Sequence, residues 1–165
     1  MMGLTRTGRA VVTLPTDTEI VITREFDAPK RLVYRAWTTP ELVKRWWSGN
    51  MGEVTSVAID LRVGGQWRYV MVTDDGFEVA FNGEYREIVP NERIVTTEVY
   101  EGAPEAIGEP PLNIITFTEA DGRTTLTLLA QTGTKELRDM IMSSGMEVGM
   151  QQAWDRLEQV AASLR

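Results

Sequence analysis

The sequence contains no cysteine and no histidine. Without cysteine there is no disulfide, no thiol nucleophile and no thiolate metal ligand. Without histidine, the side chain that most often moves protons near neutral pH is missing, and so is the commonest metal ligand. A general base would have to be Asp, Glu, Tyr or Lys. The carboxylate pair Asp74-Asp75 lies in a turn signal, where solvation is its ordinary role. No phosphate-binding glycine loop, dinucleotide fingerprint, nucleophile elbow or EF-hand pattern occurs. No cofactor and no metal are therefore expected, and binding is favoured over catalysis. No apolar run reaches the roughly 18 residues a membrane span needs, so no membrane insertion is expected. Positive charge is also scarce: 17 Lys and Arg against 24 Asp and Glu give a net charge of -7. Nucleic acid and anionic membrane surfaces both reward a basic face, so neither is an expected partner. The absence of cysteine fits a reducing compartment, and the expected location is cytoplasmic.

What is present is an ordinary globular composition, with 42% apolar and 25% charged residues in 165. That length suits one domain, which can bury roughly 70% of its unfolded surface without metal or disulfide staples. Residues 1–18 are expected to form a flexible N-terminal extension, and residues 19–165 a single domain.

Residues 19–26, EIVITREF, are rich in β-formers and read as a strand. Asp27-Ala28-Pro29 follows as a helix start with Asp27 as N-cap, and Leu32, Val33, Ala36 and Trp37 recur at helical spacing. Thr39-Pro40-Glu41 repeats the start signal ahead of Leu42, Val43, Trp46 and Trp47. From residue 53 to 131 the period becomes two. Val54 to Arg62 reads as a strand ending at Gly64-Gly65, where positive φ is expected. Trp67, Tyr69 and Met71 share one face of the next strand. Asp74-Asp75-Gly76 is a hairpin turn leading to Phe77, Val79 and Phe81. Gly83 suggests a bulge before Tyr85 and Ile88. Further strands follow at Arg93 to Tyr100, Leu112 to Thr118 and Thr124 to Ala130. A proline-containing loop spans residues 101–111, and a turn lies at Ala120-Asp121-Gly122. After Gly133 the period returns to helical: Thr134 can cap one long amphipathic helix running nearly to the end. Gly145 and Gly149 lie within it and imply a bend or a close approach.

The order strand, two short helices, six strands, long helix gives an α+β domain. Short turns between strands imply antiparallel pairing, and one sheet face must be covered by the long helix. A curved antiparallel sheet of about seven strands wrapped around that helix follows, and the two can enclose a cavity. Trp67, Tyr69, Met71 and Phe81 from the sheet would face Met142, Met146 and Met150 from the helix. These residues can simply fill the core, or they can form the adaptable wall of an apolar pocket. Met140 and Met142 cannot both face inward, because they point about 200° apart. Of the adjacent Trp46 and Trp47, Trp46 is taken as inward, and Trp47 as a lid or surface contact. Asp60, Arg62, Arg68, Glu84 and Arg93 have two readings: exterior charge on the sheet, or an Arg that holds a ligand carboxylate or phenolate. Arg62 can also pair with Asp60.

Several segments then match a family in order. They are Phe26-Asp27-Ala28-Pro29 with Val33, Ala36, Trp37 and Thr38, and Pro40-Glu41-Leu42-Val43 with Trp46-Trp47. Next come Asp60-Leu61-Arg62-Val63-Gly64-Gly65-Gln66-Trp67 and Gly83 to Ile88, with Pro90, Glu92, Arg93 and Ile94. Gly149-Met150 ahead of Trp154 and Leu157 completes the set, with Met150 where many members carry Trp. In this order the residues resemble the START-like (SRPBCC) superfamily with its helix-grip, Bet v-like fold. Within it they are most similar to the C-terminal domain of activators of the heat-shock-protein-90 ATPase and their single-domain bacterial relatives. The resemblance covers residues 19–165. It implies that Trp37, Trp46, Trp67, Tyr69, Met71, Phe81, Tyr85, Met142, Met146, Met150 and Trp154 line a cavity for a small hydrophobic or aromatic ligand, lipid-like or polyketide-like. Two alternatives stay open: a cyclase or aromatase of the polyketide type, and a chaperone-interacting or stress-response module. Eighteen residues are too few for the additional N-terminal domain of the co-chaperones, so the family name alone does not carry that function over. A chaperone or a second copy of the chain remains an unproven partner.

Overall fold

Strict alternation in Glu19–Phe26 makes β2: Ile20, Ile22, Arg24 and Phe26 are buried on one face, while their neighbours are half-exposed. The computed structural model describes residues 9–102 and 110–165. Within it the chain forms β1 (Val11–Thr13), β2, α1 (Lys30–Thr38), α2 (Pro40–Val43), β3 (Gly52–Ile59), β4 (Gln66–Thr73) and β5 (Glu78–Val89). It continues with β6 (Arg93–Thr97), β7 (Val99–Tyr100), β8 (Leu112–Ala120), β9 (Arg123–Gln131), α3 (Lys135–Ser143) and α4 (Met146–Ser163). The strands build one antiparallel sheet of nine in the order β1-β2-β9-β8-β6-β5-β4-β3, with β7 paired to β5 off that path. The helices cover one face, which is the expected helix-grip architecture.

Several boundaries differ from the sequence reading. There are nine described strands rather than seven, because Arg93 to Tyr100 is interrupted at Glu98 and a strand forms before residue 19. Val11, Val12 and Thr13 pair with Thr23, Ile22 and Val21, so part of the expected extension is structured. Ala10 just before it is buried, and Gln151 holds it at both ends: the Ala10 N–H donates to Oε1, and Nε2 donates to the Ala10 carbonyl. Residues 1–8 lie outside the described residues, as does most of the expected 101–111 loop. The strand expected to run to Arg62 stops at Ile59, and Asp60–Gly65 forms a turn whose Arg62 and Gly65 N–H groups donate within it. Phe77 stands exposed in the β4–β5 turn instead of on the strand face.

Asp27 does not cap α1. Pro29 holds that position, and the Asp27 N–H instead donates to Glu158 Oε2 at 2.8 Å. Thr134 does cap α3, accepting from the Leu137 N–H. The expected single long helix is broken at Gly145, whose φ of 84° lies in the left-handed region and ends the hydrogen-bond ladder. Gly149 provides the other expected effect, close approach: a Cβ there would lie 3.0 Å from Met51 Sδ. The bulge of β5 falls at Arg86, between the pairs Tyr85–Thr96 and Glu87–Val95. Gly83 has a different role. A Cβ there would lie 2.0 Å from the Thr97 carbonyl oxygen and 2.6 Å from Trp67 Nε1, so only glycine lets the indole lie on the strand.

The inner face divides into two parts. At one end Phe26, Phe117 and Leu126 from the sheet meet Leu32, Val33 and Leu157 from the helices, all buried to 2% exposure or less. Each such side chain contributes roughly 1.5–3 kcal/mol by leaving water. At the other end the same face is only half covered.

Candidate functional site

The half-covered end is built from several elements. Leu128 and Ala130 of β9, Asn113 of β8, Phe81 of β5 and Glu98 are partly accessible on the inner face. Met142 of α3 and Met146 and Met150 of α4 are likewise half-buried and pack against the core. Together they are the part of the inner face and of the two C-terminal helices that stays partly accessible. Met140 points away and is 59% exposed, as the helical geometry requires.

The aromatic candidates separate into two groups. Trp37, Trp46 and Trp154 join the closed core: Trp37 lies 5.0 Å from Trp46 and 6.1 Å from Trp154 between ring centroids. The Trp46 N–H donates to the Ala36 carbonyl at 2.9 Å, which ties that ring to α1. The other group lines the open end. Trp67 and Tyr69 are 4.8 Å apart, and Trp47 stands edge-on to Tyr69 at 5.3 Å and to Phe81 at 5.8 Å. Phe81 continues to Tyr100 of β7 at 5.1 Å. Of the pair, Trp46 is the buried, inward ring and Trp47 the half-buried one. Met71 is buried at the far end of the β4 row, outside the main core cluster. The Trp67 N–H is buried with no acceptor among the described residues, because its ring is pressed onto Gly83.

Burial raises three tyrosine hydroxyls, two of them on the inner face and the third, Tyr34, on α1 against Phe117. Tyr69 and Tyr85 are buried on the inner face, and burial pushes the Tyr69 hydroxyl well above 10, with Tyr85 and Glu98 adding to the rise. Burial likewise raises Tyr85, with help from Tyr34, whose own hydroxyl is raised by burial. All three stay protonated donors. Glu98 was not among the residues singled out from the sequence. Burial raises its carboxyl, opposed by the hydrogen bond that Asn113 Nδ2 donates to Oε1. The signal was present: Ile94, Thr96 and Glu98 alternate onto one face, and Ile94 is core.

The charged strand residues all take the exterior reading. Arg62 pairs with Asp60 at 2.9 Å, Arg86 with Glu84 at 2.7 Å and Arg93 with Glu87 at 3.1 Å, each exposed. Arg68 donates twice to Glu101, at 2.8 and 2.9 Å, and Asn82 donates a third bond at 2.8 Å. These bonds hold the Glu101 carboxyl down at about 2. The cation that does enter the interior is Arg24, also missed: its side chain is fully buried and pairs with Asp155 at 2.8 Å and Glu158 at 3.0 Å. It lies in the closed core, 4.8 Å over the Phe26 ring, and does not reach the half-covered end. Among the described residues no carboxylate cluster could hold a metal ion, and no helix is long and apolar enough to cross a membrane.

Comparison with known proteins agrees with this architecture. The family model described as "Activator of Hsp90 ATPase homolog 1-like protein" matches residues 27–162. Among solved structures, a Rhodobacter sphaeroides protein superposes with a TM-score of 0.84 at 22% identity, covering 94% of this chain and 99% of that one. Protein Ms6760 of Mycobacterium smegmatis gives 0.82 at 25% identity, covering 94% and 99%. Protein NE0264 of Nitrosomonas europaea gives 0.80 at 23% identity, covering 92% and 98%. No curated protein matches the sequence.

Proposed function

Because the chain belongs to the Activator of Hsp90 ATPase homolog 1-like family of START-like domains, we propose that it binds a small hydrophobic or aromatic ligand between sheet and helices without transforming it. One observation carries the reading. The same inner face that is fully buried at Phe117 and Leu126 stays accessible at Leu128, Ala130 and Phe81, and Met142, Met146 and Met150 are likewise half-buried. Apolar surface left open on the concave side of a sheet suits a ligand, and flexible methionines suit ligands of variable shape. Native mass spectrometry of freshly purified protein, followed by titration with an apolar fluorescent probe, tests it. A retained small molecule or saturable probe binding supports the reading. Absence of both overturns it.

A second reading is a cyclase-type enzyme, in which the recess orients a reactive chain and little acid–base help is needed. The protonated Tyr69 and Tyr85 hydroxyls on the inner face favour it, since they can donate to a carbonyl oxygen. Turnover of a polyketone substrate by wild type, lost in Tyr69→Phe, would establish this reading over simple binding.

A further inference from the structure

The chemistry of the recess is uneven, and its polar end has one sign. Glu98 and Tyr100 alternate onto the inner face at the β6–β7 break, and Tyr100 pairs directly across from Phe81. From there the aromatic rings run without interruption through Trp47 to Tyr69, with centroid separations of 5.1, 5.8 and 5.3 Å. Among the described residues the Glu98 carboxylate has one hydrogen-bonding partner, the Asn113 amide, which is neutral. No Lys or Arg lies within ion-pair distance of it among the described residues, although every other inner or surface Arg named above has found an acid. The segment that follows, residues 103–109, contains neither Lys nor Arg in its sequence. A half-buried carboxylate with no counter-charge among the described residues is costly to desolvate further, and that cost is offset if a cation arrives with the ligand. Aromatic faces beside a carboxylate are the usual surroundings of a bound ammonium group.

We infer that the ligand of this recess is a hydrophobic amine, its ammonium seated against Glu98 and the aromatic wall and its apolar body along Leu128 and the methionines. The inference rests on the binding reading above and narrows it. The same arrangement rejects fatty acids and other apolar anions, because a ligand carboxylate would meet Glu98 with nothing to offset the repulsion.

The test uses three ligands of equal chain length, decylamine, decanol and decanoate, each displacing the apolar fluorescent probe near neutral pH. Wild type should bind decylamine about tenfold more tightly than decanol, and decanoate more weakly than both. Glu98→Gln should abolish the preference for the amine while leaving decanol binding unchanged. Glu41→Gln, an exposed carboxylate on α2, should leave the preference intact, which separates a local pairing from attraction to the net negative chain. If Glu98→Gln fails to fold, the wild-type ranking alone decides. Equal binding of the three ligands, or tighter binding of decanoate, overturns the amine assignment and leaves the pocket standing. A preference that survives in Glu98→Gln overturns it too. If neither the probe nor any of the three binds, the binding reading itself fails.

Discussion

Arg24 Nη2 donates to Glu158 Oε1 at 3.0 Å, and this bond fastens the inner face of β2 to α4 from inside the closed core. Nη1 donates to Asp155 at 2.8 Å, one helical turn earlier. The three side chains differ in what happens when they are left alone. Arg24 is fully buried, whereas Asp155 is 54% and Glu158 22% exposed at the side chain.

That asymmetry gives the first prediction. Replacing both acids, Asp155→Asn with Glu158→Gln, strands a buried guanidinium and should cost about 3–5 kcal/mol. Arg24→Met leaves two acids that water can reach and puts an apolar chain of similar length over Phe26, so it should cost less than about 1.5 kcal/mol. Urea denaturation of the two variants measures the difference. Equal losses would mean that the pair stabilises by mutual attraction alone.

The turn at Asp60–Gly65 yields the second. Gly64 takes a φ of 84°, while Gly65 is required for space: a Cβ there would sit 2.1 Å from the Asp60 carbonyl oxygen. The residue that needs left-handed backbone and the residue that needs to be small are therefore neighbours, not the same position. Gly65→Val should cost at least the roughly 1–3 kcal/mol of an overpacked site. Thr125→Val, on the outer face of β9, keeps the β-branch and should be nearly neutral. Identical denaturation midpoints would show that the turn yields freely.

Glu98 supplies a prediction in pH. Its folded carboxyl titrates above the ordinary 4.5 because burial disfavours the charge. The folded state therefore holds that proton more tightly than the unfolded chain. The stability this gives is fully present below about 4.5 and is lost as pH rises through the raised folded value. Of the groups facing it, Asn113 does not titrate and Tyr69 stays protonated throughout this range. Glu98→Gln, which cannot acquire the charge, should melt higher than wild type at neutral pH, with the gap closing toward pH 4. A gap independent of pH would place the carboxylate in open solvent.

Periodicity carried most of the architecture, because each inner-face residue must alternate with an outer one. EIVITREF ends where β2 ends, and the Asp121-Gly122 turn lies between β8 and β9 with φ of 55° and 76°. What stayed hidden were positions where the pattern was right but the residue type was unexpected. Arg24 falls on the same face as Ile20 and Ile22, and Glu98 on that of Ile94, yet both are charged and invite an exterior reading. Only the opposing element settles such cases: two acids on α4 for Arg24, an amide on β8 for Glu98. The break at Gly145 was hidden for another reason. Apolar spacing continues across it, and a single left-handed residue redirects the axis without altering the pattern. The separation of the tryptophans into a closed cluster and an open wall depends on which rings from other elements they meet, Trp154 of α4 or Tyr69 of β4, which no local spacing encodes.

The recess itself can be tested at Met146, the first residue of α4, immediately after the Gly145 break. Its side chain is half-buried and packs against the core cluster. If the space beside it is a ligand site, Met146→Trp places a large ring in that space. The variant should then keep its stability within about 1 kcal/mol and lose apolar probe binding, because the indole occupies the volume the probe would take. If Met146 is close-packed core, the same ring has nowhere to go, and overpacking should cost typically 1–3 kcal/mol. The two cases give opposite stability results from one substitution. Met140→Trp is the matched control, since that residue is 59% exposed and the ring should extend into water with probe binding intact. A denaturation curve and a probe titration on wild type and both variants complete the comparison. Destabilised Met146→Trp that still binds the probe normally would remove this stretch of α4 from the ligand site.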